Sequence, residues 1–413
     1  MPLKIIHTAD WHLGQTFFGY DRELEHSAFL TWLTHTIIER QTDVLLISGD
    51  VFDVANPSAS AQRQFFNFLK EVNRQNPRLQ VIIIAGNHDS AARLEAPAPL
   101  LEELNTSIIG IIRRTDEGEI DYDSLLIPLY DADNIRKGWC MAIPFLRQGD
   151  YPPSDEGQEG YIPGVNRMYR KAYASAKCKC KAGEFIVAMG HLHATGAELS
   201  ENDRSERIIM GGLESVPADI FDKNIIYTAL GHIHKAQRVG GKDNIRYAGS
   251  PIPMSFSETR YLHQVVSLTV SDNGNTTIES ISIPRLVDLI RIPKAAAVPE
   301  EVLKQLNELP DKVNDDISTL PYLEVRVLMI EPEPGFRHQV EEIIKNKAVR
   351  LTSILPSYAT QEKETDIPIS TTDDLHKIDP MDMLKHAFYI RYKTDLPEDM
   401  EQLFAEVIQE INL

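Results

Sequence analysis

The chain has 413 residues with 42 Lys and Arg against 61 Asp and Glu, a formal net charge of −19, and acidity this strong argues against a phosphate-backbone substrate, whose non-specific binding rests on cationic contacts. Apolar residues make up 42% and charged residues 25%, which excludes wholesale disorder and, at roughly 150 residues per domain, predicts two or three folded domains. No stretch approaches the ~20 uncharged apolar residues of a membrane span, and three cysteines (Cys140, Cys178 and Cys180) fit neither a disulfide framework nor a four-ligand zinc site.

The N-terminal MPLKIIHTAD alternates like a strand and lacks a signal-peptide core, which predicts a cytoplasmic protein with no membrane attachment. LKIIHTAD leads to Asp10, DVLLISGD to Asp50, and QVIIIAGNHD to Asn87, His88 and Asp89. Such Ile-, Val- and Leu-rich runs read as strands buried on both faces. Residues about 22–40 and 58–74 between them have helical spacing, so the pattern is α/β with polar clusters at strand C-termini, where open sheets place their sites. EFIVAMGHLH and NIIYTALGHIHK repeat the form, ending at His191 and His193 and at His232 and His234, and NIRYAGSPIP follows as a further strand. Residues 150–162, rich in Pro, Gly and acid, read as an exposed loop. From about 283 to 355 the order strand, helix, strand, helix, strand predicts a small second α/β domain after a first one spanning 1–282. Residues 356–379 read as a polar linker, and 380–413 as a helical segment with helices about 380–391 and 397–412. In the last helix Met400, Leu403, Phe404, Val407, Ile408 and Ile411 form one apolar stripe.

The polar clusters carry the chemistry. A lone histidine at a strand end is ordinarily a core or surface residue, but six of the thirteen histidines sit in these five clusters, all at strand ends of one sheet pattern. Two divalent cations about 3.5–4 Å apart need a bridging carboxylate, and Asp50 in a Gly-Asp turn is the natural candidate. Imidazoles and oxygen donors without thiolate suit manganese, iron or zinc. Such a pair of ions activates a water and holds phosphate oxygens for in-line displacement. Glycines before Asp50, Asn87, His191 and His232 are expected to let the backbone turn sharply. In a strand i and i+2 share a face, so either His191 or His193 could reach the site. Asp53 and Asp89 read as acceptors for imidazoles or as caps.

D-x-H, G-D, G-N-H-D and G-H-x-H in this order resemble the calcineurin-like metallophosphoesterases. ADWHLG (9–14), SGDVFD (48–53), AGNHDS (85–90), GHLHATG (190–196), GHIHK (231–235) and AGSPIPMSFSE (248–258) are similar to the SbcD family of nuclease subunits within that superfamily. The resemblance covers residues 1–282 by motif and the remainder by order, size and pattern. It implies a four-layer α/β/β/α sandwich with a small α/β capping domain and C-terminal helices that grip an SbcC-type ABC ATPase with a coiled coil, two copies of each subunit forming a heterotetramer. Asp10, His12, Asp50 and His234 would hold one metal and Asp50, Asn87, His191 and His232 the other, with manganese the expected ion. Gly190 directly precedes His191, as in the family, which selects it over His193. His88 resembles the histidine that stabilises the transition state and assists the leaving oxygen, an ordinary ligand being its other reading.

Arg167, Arg170, Lys171, Lys177, Lys179 and Lys181 form the densest cationic run. It reads as a solvated helix face or as phosphate contacts for DNA, with Arg167, Arg170 and Lys171 the candidates. Phe65, Phe66, Phe68 and Leu69, with Leu100 and Leu101, exceed one core-facing stripe, and the resemblance adds a two-fold homodimer through the nuclease domain. The implied activity is double-strand 3′–5′ exonuclease and single-strand or hairpin endonuclease in DNA repair, recombination and replication. A small-molecule nucleotide or cyclic-nucleotide phosphodiesterase is the alternative, and a catalytically dead scaffold would need a broken ligand set. The charge divides as −9 over residues 1–280 and −10 over 281–413, so over half the acidity lies in the part expected to face a protein partner.

Overall fold

In the computed structural model, residues 1–153, 160–197, 215–272, 274–314, 316–358, 380–392 and 394–411 are described. They divide into two compact units, Met1–Leu286 and Val287–Leu413.

The first unit is built on two six-stranded sheets. One contains β1 (Leu3–Thr8), β4 (Val44–Ser48), β5 (Gln80–Ile84), β6 (Thr106–Ile109), β13 (Gln264–Val270) and β14 (Thr276–Ser282), in the order β14-β13-β1-β4-β5-β6. The other contains β7 (Leu126–Tyr130), β8 (Arg136–Ala142), β9 (Phe185–His191), β10 (Ile225–Gly231), β11 (Gln237–Val239) and β12 (Lys242–Tyr247), in the order β11-β12-β10-β9-β8-β7. A short hairpin, β2 (Thr16–Phe17) and β3 (Tyr20–Asp21), precedes α1. Strands β1, β4, β5 and β6 run parallel, as do β8, β9, β10 and β12. Parallel strands need crossovers, and α1 (Glu23–Arg40), α2 (Ala59–Gln75), the short α3 (Ala91–Glu95) and α4 (Ala98–Leu101), and α5 (Tyr161–Lys179) supply them.

Alternate side chains on each strand point to opposite faces, which sorts the apolar residues into three layers. Ile5, Leu46, Ile82, Val187, Tyr227 and Leu268 meet between the sheets. Ile6, Leu45 and Ile83 pack on α1 and α2 through Phe29, Leu33, Phe65 and Phe68. Met141, Ala188 and Leu230 pack on α5 through Val165, Met168 and Ala172. The result is the α/β/β/α sandwich. The aromatic excess on α2 is mostly core: Phe65, Phe68 and Leu69 are buried, leaving Phe66 half-buried and Leu100 exposed.

The intersheet layer contains one polar bridge. His7 Nδ1 lies 2.9 Å from Tyr227 Oη of the opposite sheet. Burial drives the His7 pKa down to about 3, and burial together with the Arg22 charge does the same for His26. Both stay neutral in the folded chain, while the unfolded chain takes up protons below about 6.5. Their contribution to stability is therefore complete above pH 6.5 and is lost as pH falls toward 3, at up to ~1.4 kcal/mol per pH unit for each histidine. Denaturant titrations at pH 7, 5.5 and 4.5 should show this slope, reduced by about one proton in His26→Gln. An unchanged slope in that variant would contradict the assignment.

The second unit has a parallel sheet, β15 (Leu289–Ala297), β16 (Tyr322–Met329) and β17 (Arg350–Tyr358), with α6 (Pro299–Asn307) and α7 (Phe336–Ile344) packed on it through Val302, Leu306, Phe336 and Val340. β17 runs three residues past the boundary expected at 355, because Pro356, Ser357 and Tyr358 continue the pairing with β16. The expected linker lies outside the described residues from 359 to 379. The helices α8 (Pro380–Tyr392) and α9 (Glu398–Ile411) follow, tied by Lys385 Nζ to Glu401 Oε1 at 2.9 Å. On α9, Met400, Leu403 and Val407 are exposed, and the side chains of Ile408 and Ile411 lie outside the description.

Candidate metal centre

The candidate residues occupy the C-terminal ends of β1, β4, β5, β9 and β10, which the two sheets bring to one edge of the first unit. Trp11 sets the first segment. Its indole is fully buried against Phe29 and Phe68, with Nε1 donating to Thr8 Oγ1 at 3.0 Å. With Trp11 committed to that core, its neighbours Asp10 and His12 join the polar cluster instead. Asp10, His12, Asp50 and His232 all have positive φ (55°, 47°, 48° and 102°), a conformation costly for residues other than glycine. Long-range bonds hold these turns: Asp10 N–H donates to Gly49 O (3.0 Å), His12 N–H to Asp50 O (3.0 Å), and His232 N–H to Asp10 Oδ1 (2.8 Å). Asp89 is buried, and its carboxylate accepts from the Val51, Phe52 and Gly86 amides at 2.9–3.2 Å, joining the second and third segments.

Asp50 lies at the centre. Oδ1 accepts the His88 amide at 2.9 Å, while Oδ2 lies 3.3 Å from His191 Nε2 and 3.7 Å from His12 Nε2. Asn87 Oδ1 lies 2.9 Å from both His191 Nε2 and His232 Nδ1. His191 Nδ1 is fixed by Ser48 O at 2.8 Å. His12 and His234 face each other with ring centroids 5.1 Å apart, and Glu258 Oε1 lies 3.5 Å from His234 Nδ1. Ligand atoms of Asp10, Asp50 and His191 lie within 4.8 Å of one another, as do those of His12, Asp50 and His88.

These residues fit divalent cations. Donors about 2.1 Å from one ion sit roughly 3.0–3.4 Å from each other, and the contacts around Asn87 and Asp50, at 2.9, 3.3 and 3.7 Å, bracket that spacing. Among the described residues, Asp10 Oδ2 and His12 Nε2 are buried without a hydrogen bond, a costly arrangement that an ion would relieve. The charges agree. Burial pushes the Asp50 carboxyl up, but the adjacent His191, by charge and hydrogen bond, holds it well below the usual range. Burial pushes His191 down, yet Asp50 raises it to about 9. Burial raises Asp10 and depresses His232. Asp50 is thus held as a buried carboxylate whose charge the His191 proton offsets, and a bound cation would take the place of that proton.

All eight expected residues, Asp10, His12, Asp50, Asn87, His88, His191, His232 and His234, meet here. Of the two histidines in the β9 segment, the His191 ring enters the cluster, whereas His193 lies past the strand, half-buried, its carbonyl accepting the Val216 amide. Asp53 supports two rings: Oδ1 lies 3.2 Å from His12 Nδ1 and its carbonyl 2.8 Å from His88 Nδ1. Arg167, Arg170 and Lys171 are not in the cluster. They sit on α5 in the outer layer, Arg170 exposed and Arg167 donating to Pro152 O at 3.1 Å. Lys179 is committed to Asp123 at 2.9 Å. Glu258 closes the AGSPIPMSFSE motif, but nothing in that motif gives it a role at the centre; its burial is the signal.

Residues 3–236 match the family model described as calcineurin-like phosphoesterase. The SbcD component of the SbcCD nuclease from Rhodobacter capsulatus is 40% identical over 318 residues, covering 75% of this chain and 77% of that one. The chain belongs to the SbcD family of calcineurin-like phosphoesterases. The SbcD protein of Escherichia coli K12 is 36% identical, covering 68% of each chain, and that of Bacillus subtilis 28%, covering 81% and 85%. Residues 285–392 match a second model, described as a type 5 capsule protein repressor C-terminal domain, so the SbcD likeness extends beyond the phosphoesterase sandwich into the second unit. Divalent metal dependence follows from family membership together with the donor set. Among the described residues no helix is long and apolar enough to cross a membrane.

Proposed function

We propose that the chain is the nuclease component of an SbcCD-type complex and hydrolyses DNA phosphodiester bonds with two divalent cations. The observation that carries the reading is a buried carboxylate, Asp50, whose Oδ2 lies between a ring of each donor group, 3.7 Å from His12 Nε2 and 3.3 Å from His191 Nε2, in a chain 40% identical to an SbcD nuclease. Asp10, His12, Asp50 and His234 would hold one ion, and Asp50, Asn87, His191 and His232 the other. The mixed nitrogen and oxygen donors suit manganese, iron or zinc, and manganese, the ion that the family resemblance implies, is the one proposed. Bound there, the ions would supply Lewis-acid stabilisation of the phosphoryl oxygens and a water acidic enough to attack at neutral pH.

The protein's own groups do the rest. Asp53 O accepts from His88 Nδ1, which turns Nε2 toward the departing oxygen; a ring protonated on both nitrogens would donate its Nε2 proton there. Asp89 keeps the Asp50 turn rigid. Arg167, Arg170 and Lys171 would meet DNA phosphates. The exposed α9 residues suit a helix of an SbcC-type ATPase, in a heterotetramer of two copies each, and Phe66 and Leu100 suit a homodimer. The whole complex would work in the cytoplasm, in DNA repair, recombination and replication.

The test is degradation of linear duplex and hairpin DNA with manganese, with and without the co-expressed ATPase. Loss of nucleotides from 3′ ends and opening of hairpins are expected, both stimulated by the ATPase with ATP. Hydrolysis of nucleotides or cyclic nucleotides with no action on DNA would overturn the proposal in favour of a small-molecule phosphodiesterase.

A further inference from the structure

Glu258 is fully buried, its fractional exposure being 0%. It lies at the end of the segment that leaves β12, and that segment grips His234 twice. The Ser250 amide donates to the His234 carbonyl at 3.0 Å, and the Glu258 carboxylate approaches His234 Nδ1 at 3.5 Å. Gly249 makes the first contact possible. At φ +78° its backbone presses on the His234 carbonyl and the Ala236 amide, where a Cβ would collide.

The second contact is held from both sides. Glu258 Oε2 accepts the Met254 amide at 2.9 Å and faces Ser250 Oγ at 3.4 Å, and the Ser250 carbonyl lies 2.8 Å from His263 Nδ1. The middle of the segment is tied to the hairpin side. Buried Arg22 donates from Nη1 to Pro253 O at 2.6 Å, and it forks onto Glu25 at 2.7 and 3.0 Å. The carboxylate therefore has one place to be, against the His234 ring.

An isolated carboxylate removed from water is costly unless it is paired. Its partner here is an imidazole, and the ring's opposite nitrogen, Nε2, is the atom through which His234 would hold an ion. A carboxylate that takes the Nδ1 proton fixes the tautomer, aims the ring and raises the basicity of Nε2. We infer that Glu258 is the positioning residue for His234, so that the 249–258 segment governs the ion held by Asp10, His12, Asp50 and His234 and not the one held with Asn87, His191 and His232. This inference rests on the two-cation reading of the centre.

The test is manganese titration of the full-length chain by calorimetry, with bound metal counted after desalting. The wild type should bind two ions. Glu258→Ala should weaken one of them 10- to 100-fold and leave the other within about twofold. Glu258→Gln retains the acceptor for the Met254 amide and the volume but not the charge, and should weaken the same ion by a smaller factor. A merely structural glutamate would instead lower the unfolding temperature and weaken both ions together. Equal weakening of the two ions, or no change in either, in whichever of the two variants folds would overturn the inference. A wild type that binds no manganese would overturn the two-cation reading itself, and the inference with it.

Discussion

His88→Ala is expected to lower turnover on DNA by about 10²- to 10⁴-fold, or roughly 3–5 kcal/mol of transition-state stabilisation, while two manganese ions stay bound. The reason lies in which atoms the substitution removes. The main-chain N–H of residue 88 caps Asp50 Oδ1 at 2.9 Å, and alanine keeps it. The ring is what disappears. It is half-buried, set edge-on to His12 with centroids 4.7 Å apart, and anchored through Nδ1 on Asp53 O. Burial lowers the His88 pKa and Asp50 partly opposes this. With Nδ1 donating to Asp53 O, Nε2 is the presented nitrogen, and it gives a proton to a leaving alkoxide only in the protonated ring, the form that the Asp50 charge favours. The rival role is ligation, since ligand atoms of His88, His12 and Asp50 lie within 4.8 Å of one another. Metal content separates the two: inactive protein with two ions supports catalysis, whereas inactive protein lacking an ion makes His88 a ligand.

Much of this centre is legible in the sequence because strand-end chemistry is local. LKIIHTAD, DVLLISGD and QVIIIAGNHD become β1, β4 and β5 with their polar residues just beyond the last paired position. What local pattern does not carry is the conformation of those residues. Nothing in A-D-W-H marks Asp10 and His12 as left-handed, because the bonds that enforce it come from Gly49 and Asp50, about 40 positions away. The glycines behave less uniformly than expected. Gly49 has φ +89°, a true left-handed turn. Gly86 and Gly231 have ordinary φ, and their missing side chains make room instead, for the Asp50 side chain and the Ser48 carbonyl respectively. The strands β7 and β8 and the β13–β14 hairpin escape the sequence pattern because they end in no conspicuous chemistry. The role of Glu258 escapes for another reason. It ends the family-like motif AGSPIPMSFSE, yet that motif does not place it against His234; only the fold does.

The acidity of the chain also changes meaning once charges are placed. The carboxylates of Asp10 and Asp50 are buried at the strand ends, and on the proposed function two divalent ions would contribute +4 there. About half the excess, −10, belongs to residues 281–413. Net charge is a sound argument about long-range steering and a poor one about a site. On the proposed function, this acidity fits a partner subunit that would supply most of the grip on DNA.

Asp50→Asn should abolish binding of both ions, where loss of a residue facing one ion only should abolish one. The variant keeps the shape of the side chain, tolerates the left-handed backbone as aspartate does, and retains an oxygen for the His88 amide. It removes the charge that Oδ2 presents to His191 and His12 and that Oδ1 presents toward the third segment. In the metal-free protein the same charge holds the His191 pKa at about 9, so the neutral variant also loses the local field that draws a cation into a buried site. The readout is stability as well as activity. An ion present at 100 times its dissociation constant stabilises the fold by ~2.7 kcal/mol, so two such ions add roughly 5 kcal/mol to the wild type under manganese and close to nothing to Asp50→Asn. Asn87→Ala should keep about half of that gain. Turnover should fall below detection in Asp50→Asn, because each remaining donor set is short of the shared carboxylate that brings the ions together. Retention of one ion at wild-type affinity would show that Asp50 serves a single site, and the donor sets would then have to be redrawn around Asp10, which shares the positive φ, the burial and the contact with His191.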